Sequence, residues 1–168
     1  MRPRWVGKGT IQMTRFLMLG LAAAALAGSA ASAQVMPGDL KWGPAPPGLP
    51  AGAQLAVLSG DPGKEGMFTI RLKFPAGFSI SPHHHPAPEL VTVIDGAMSV
   101  GMGSVMDRPK AATLGEDGYI ALDANMNHFA FTDAGATIQI TSHGPFQIIY
   151  VNAADDPRNA AKAAERGR

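Results

Sequence analysis

Five histidines occur in the 168 residues, and three are consecutive, in Ser81-Pro82-His83-His84-His85-Pro86. In extended backbone successive side chains alternate, so His83 and His85 share one face and His84 points to the other. Glu89 has the same parity if the chain stays extended through Pro86 and Pro88, and prolines favour that conformation. Two imidazoles and one carboxylate on one face make half of a divalent-metal site. The plainer alternative is a solvated His-rich loop that collects stray metal, and three neighbouring histidines do not by themselves decide against it.

The elements that must position these groups read as short strands. Phe68, Ile70, Leu72 and Phe74 alternate with Met67, Thr69, Arg71 and Lys73, and Ile138 and Ile140 alternate with Thr137, Gln139 and Thr141. Period two means one buried and one wet face. Glu89–Ile94 is rich in β-branched residues and runs into Asp95-Gly96, the signature of a tight hairpin with Ala97–Val100 as the return strand. Further strands are expected at Ala111–Leu114, Tyr119–Leu122, His128–Phe131, Ala136–Thr141 and Phe146–Asn152. With 20 Gly, 14 Pro and no helical pattern between strands, an antiparallel sandwich or barrel follows. Residues 34–53 form a Pro/Gly-rich arm with Leu40 and Trp42 as anchors, and 54–153 form the barrel. In the tail, 154–168, Asp156 caps and Pro157 opens a short helix or a disordered end.

The spacing around the histidines carries more than their number. Gly77, five residues, His83, one residue, His85, three residues, Glu89, six residues and Gly96 match the first motif of the cupin superfamily, G-x5-H-x-H-x3-4-E-x6-G. The chain resembles a small single-domain cupin from about Gln54 to Asn152. The second motif, G-x5-P-x-G-x2-H-x3-N, is matched less well by the stretch up to His128. Asp117 stands at the Gly position with Gly118 next to it, Asp123 replaces Pro, Asn125 replaces Gly and Thr132 replaces Asn. Asn tolerates the left-handed conformation that this Gly normally takes, so the turn can survive. The loss of Pro bears on how rigid the loop before His128 is. The resemblance implies an all-β double-stranded β-helix, or jelly roll, and one metal ion held by His83, His85, Glu89 and His128.

Three imidazoles and one carboxylate suit Fe, Mn, Ni, Cu or Zn, with Fe or Mn favoured, and leave an open position for water, O2 or an oxygen ligand. The expected function is a metalloenzyme with dioxygenase-like or Lewis-acid chemistry on a small oxygenated molecule, Glu89 doubling as a catalytic base. Decarboxylation would need a further proton donor. None is evident beyond an Asp or His143, which is otherwise a rim histidine. The alternative is a non-catalytic periplasmic protein that binds or senses a small molecule. Met98, Met102, Met106 and Met126 are read as core filling. Phe74, Phe129, Phe131 and Tyr150 either line an apolar pocket or pack the barrel.

Composition narrows the partners. The chain has no cysteine, which excludes disulfides, thiolate nucleophiles and Cys-based metal sites. Residues 1–33 read as a signal peptide. Arg2, Arg4, Lys8 and Arg15 precede the apolar run Phe16–Ala27, and Ala31-Ser32-Ala33 is a small-residue cleavage site. Met13 is an alternative start. A mature chain from Gln34 would be periplasmic or secreted with no stable membrane span. Its ten basic against thirteen acidic residues leave a net charge of −3, which disfavours nucleic acid. A homodimer is compatible with the resemblance, with the Pro-rich arm available to pack on a partner.

Overall fold

The computed structural model describes residues 34–159. The expected signal peptide and the body of the C-terminal helix lie outside them. Eleven strands form among the described residues: β1 Gly43–Pro44, β2 Gln54–Ser59, β3 Gly66–Phe74, β4 Ser79–His84, β5 Glu89–Gly96, β6 Met98–Met102, β7 Ala112–Leu114, β8 Tyr119–Leu122, β9 His128–Phe131, β10 Ala136–Gly144 and β11 Ile149–Tyr150. They make two antiparallel sheets. The first has the order β1-β2-β3-β10-β5-β8 and the second β11-β4-β9-β6-β7. This is the jelly-roll sandwich expected from the strand pattern.

Alternation does the packing. In β3, Phe68, Ile70, Leu72 and Phe74 are buried. Across the ladder Ile138 pairs with Leu72 and Ile140 with Ile70, so the large residues of neighbouring strands share a face. That face meets Ile80, Met98, Val100 and Ala130 from the second sheet in one hydrophobic cluster. Each of these large side chains contributes about 1.5–3 kcal/mol by leaving water.

Two local expectations are corrected. Asp95-Gly96 does not close a hairpin. β5 pairs with β10 and β8, while β6 pairs with β7 and β9 in the other sheet. The Asp-Gly pair is instead the corner at which the chain changes sheets. Gly96 has φ 75°, and a Cβ there would strike the Gly135 carbonyl, so the residue fits a corner as well as a turn. The chain also does not run extended from His83 to Glu89. β4 ends at His84, residues 85–88 form a second corner, and Glu89 opens β5 on the opposite sheet. The last strand is shorter than expected, only Ile149–Tyr150.

The Pro-rich arm is fastened more deeply than Leu40 and Trp42 suggest. Both of those are half-buried, and Trp42 lies 5.2 Å from the Lys73 ammonium. Leu49 and Ala53 are the arm residues that enter the core. At the other end, Asp156 Oδ1 accepts from the Arg158 N–H, the cap expected ahead of Pro157. No helix among the described residues is long and apolar enough to cross a membrane.

Candidate metal centre

The four residues picked out by spacing meet inside the barrel. His83 comes from β4, His85 from the corner after it, Glu89 from the start of β5 and His128 from the start of β9, and all four are buried. β4 and β9 are neighbours, and His83 and His128 are register partners. The imidazole centroids lie 4.3 Å apart for His83–His128, 5.0 Å for His83–His85 and 5.3 Å for His85–His128. One ligand nitrogen from each histidine lies within 4.8 Å of the other two. Glu89 stands at the edge of this triangle. Its Oε2 is 3.5 Å from His85 Nε2 and 3.7 Å from His128 Nε2.

Each ring is oriented the same way. Nδ1 of His83 donates to the Ser81 carbonyl at 2.8 Å, that of His85 to Gln147 at 2.7 Å and that of His128 to Met126 at 2.9 Å. A carbonyl only accepts, so these bonds fix the proton on Nδ1 and leave the Nε2 lone pair free. His85 Nε2 is the one buried side-chain polar atom without a hydrogen-bond partner among the described residues. A buried orphan is costly unless something satisfies it.

The electrostatics agree. Burial drives His83 well below its usual value, and the neighbouring His128 and His85 push the same way. Burial takes His85 down to about 4 and lowers His128. Burial raises the Glu89 carboxyl to about 7, against a smaller opposing pull from His128. The histidine–glutamate separations exceed hydrogen-bond length, and with neutral rings these contacts are not ion pairs either. The donor set is three neutral imidazoles and one carboxyl in an apolar cavity, which is a poor way to stabilise a fold and a suitable way to hold a divalent cation.

The loop before His128 is held although the motif's Pro is absent. Asn125 has φ 62° and Asp117 φ 63°, the two positions where the motif places Gly. The Asn125 N–H donates to the His85 carbonyl at 2.7 Å, tying this loop to the first ligand segment. His84, on the other face, approaches Asn127 Oδ1 at 3.1 Å, and the Asn127 amide donates to Ser104. His143 is exposed on the outer face of the first sheet opposite Met67, away from the cluster.

Several lining residues escaped sequence reasoning. The cavity wall includes Leu49, Phe146 and Ile148, and the Phe146 ring stacks on His85 at 4.8 Å. None of the three carries a motif, and Leu49 is remote in sequence. Of the four aromatics named as alternatives, Phe74 lines the cavity. Tyr150 packs near His83 at 5.9 Å and donates to the Gly48 carbonyl, while Phe129 and Phe131 are buried at 6.5 Å from each other. Of the four methionines read as core, Met98 is buried. Met106 is half-buried, whereas Met102, at the end of β6 opposite His128, and Met126, in the loop before it, are 48% and 37% exposed.

The profile described as the ChrR cupin-like domain matches residues 30–147. No curated protein matches. Among solved structures, the polyketide cyclase RemF of Streptomyces resistomycificus is similar at TM-score 0.58 and 16% identity, over 77% of this chain and 92% of that one. A proposed acetylacetone dioxygenase of Methylibium petroleiphilum is similar at TM-score 0.58 and 24% identity, over 74% and 83%. An RmlC-like cupin of Shewanella frigidimarina gives TM-score 0.52 and 14% identity, over 65% and 87%. At these identities the likeness establishes the fold. Together with the profile match, it places this chain in the ChrR cupin-like domain family of the cupin superfamily.

Proposed function

We propose that this protein is an exported metalloenzyme that holds one divalent metal ion, Fe or Mn in preference to Ni, Cu or Zn, through His83, His85, His128 and Glu89. Its substrate is a small oxygenated molecule. The observation that carries the reading is the common orientation of the three rings. Every Nδ1–H is engaged by a backbone carbonyl, and one Nε2 is buried with no hydrogen-bond partner. A bound metal would supply Lewis acidity or, for Fe or Mn, redox chemistry with O2. The chain's own contributions are separate. The three carbonyls hold the imidazoles in place, the apolar walls exclude water, and Glu89 takes or returns a proton at Oε2. Burial alone raises this carboxyl to about 7, which favours proton uptake, and a bound cation would oppose it.

The test is metal analysis of the purified protein beside a His83→Ala/His128→Ala variant, followed by an O2-consumption screen with small ketones, diketones and hydroxy acids. About one metal per chain, lost in the variant, is the expected result. No metal after reconstitution with any of the five cations would overturn it. A non-catalytic small-molecule sensor is the second reading. A ligand retained through purification and never transformed would favour it.

A further inference from the structure

The cavity beside the histidines is small. Water-molecule centres fit over only about 40 Å³ of it, a few times the ~10–15 Å³ that one water needs. A substrate of more than a few atoms must therefore extend beyond it. A larger pocket, about 240 Å³ by the same measure, lies between the Pro46–Leu49 turn, Leu55 and the Phe146–Ile148 segment. Leu49, Leu72, Phe146 and Ile148 line both spaces and so form the partition between them. Pro46, Pro47 and Gln147 are exposed, so the outer pocket opens to solvent.

We infer that the outer pocket is the subsite for the tail of the substrate, with Leu49 as the gate, and that the substrate pairs one oxygen function with an uncharged hydrocarbon tail. This rests on the metal-site reading above. The chemistry of the walls sets the class. Apart from backbone and Gln147, the outer pocket is apolar, and its one charged lining residue is Arg158. That guanidinium is already engaged, through Nε and Nη2 with the Asp156 carboxylate at 2.8–3.0 Å and through Nη2 with the Ile148 carbonyl at 2.8 Å. An anionic tail would meet only a guanidinium already neutralised by Asp156, and would lose its hydration for little return. A hydrocarbon tail gains about fourfold in affinity per buried methylene.

The gate follows from how the turn is held. Leu49 N–H donates to the Pro46 carbonyl at 3.0 Å, and the Tyr150 hydroxyl donates to the Gly48 carbonyl at 2.9 Å. With the Gly48–Leu49 peptide fastened through both its carbonyl and its N–H, the Leu49 side chain opens the path by changing rotamer.

The experiment titrates the 15N-labelled protein with butan-2-one, octan-2-one and 7-oxooctanoate, a methyl ketone charged at its tail end, and follows the amide resonances. Octan-2-one is expected to shift Gly48, Leu55 and Ile148 and to bind at least about tenfold tighter than butan-2-one, with 7-oxooctanoate weaker than octan-2-one. Leu55→Trp fills the outer pocket without touching the inner one. It should abolish the chain-length preference and leave the visible spectrum of bound Co(II) unchanged. Leu49→Ala should let EDTA strip Co(II) several-fold faster. Absence of shifts at those amides, or 7-oxooctanoate binding as well as octan-2-one, would overturn the subsite, and unchanged stripping would overturn the gate. Failure of the unmutated protein to bind Co(II) would instead overturn the metal reading, while the amide shifts would still judge the pocket.

Discussion

His83 and His85 stand in a segment that keeps every fixed position of the first cupin motif, whereas His128 ends a segment that departs from the second at Asp117, Asp123, Asn125 and Thr132. The structure nevertheless delivers the three rings in the same way, each Nδ1 bonded to a carbonyl within 2.7–2.9 Å. The difference teaches what the second motif encodes. Its glycines stand for a backbone conformation, and Asp117 and Asn125 adopt that conformation, with φ of 63° and 62°. Thr132 serves the corner after β9, where its hydroxyl accepts from Gly135 N–H at 3.0 Å. What Pro would supply in rigidity, the Asn125 N–H to His85 carbonyl bond supplies by tethering.

If the two segments are equivalent as ligand donors, His83→Ala and His128→Ala should each weaken Co(II) binding by more than ~100-fold, beyond the 10–100-fold typical of outer partners. Isothermal titration measures this, and a much smaller loss at His128 would break the equivalence.

Glu89 should separate from the histidines by its pH response. Its carboxyl loses a proton near pH 7, so Co(II) affinity should rise about tenfold per pH unit from about pH 5.5 and level off above 7. Glu89→Gln should flatten that slope. Without metal, the folded chain keeps a proton that the unfolded chain releases near 4.5. Glu89 therefore contributes stability that is fully present below 4.5 and lost as pH rises through about 7. Glu89→Gln should raise the apo Tm at about pH 8 and leave it unchanged at about pH 4. His85 acts with the opposite sign. Its pKa falls from 6.5 to about 4, so its contribution is present above 6.5 and lost as pH falls through 4.

The backbone reading of the second segment is tested by smaller effects. Asn125→Val should cost about 1–2 kcal/mol in urea unfolding through left-handed strain, while Asn125→Gly should be near neutral. Asp117→Gly should stabilise by up to ~1 kcal/mol, the smallest change of the set. Equal destabilisation by Asn125→Val and Asn125→Gly would mean that the Asn side chain, and not its backbone, holds the loop.

Much of the barrel was legible because period-two alternation needs no distant information. Tyr119–Leu122 and His128–Phe131 form strands with the expected bounds. Asp95-Gly96 misled because a hairpin and a corner make the same demand on a residue, positive φ with no room for a Cβ, and sheet membership is what separates them. The methionines misled because apolar character alone does not say which loop leaves a side chain uncovered.

By itself the sequence singled out the four residues that meet inside the barrel, the strand periodicity and the places where the backbone turns left-handed, since each depends on residue type and spacing along a few residues. Only the tertiary structure decided that Glu89 faces the histidines from the opposite sheet, that backbone carbonyls from residues as distant as Gln147 set the ring orientation, and that Leu49 closes the cavity from the arm. The physical reason is that these contacts join segments tens of residues apart. Their partners are backbone groups or plain aliphatic side chains, which carry no local pattern to read.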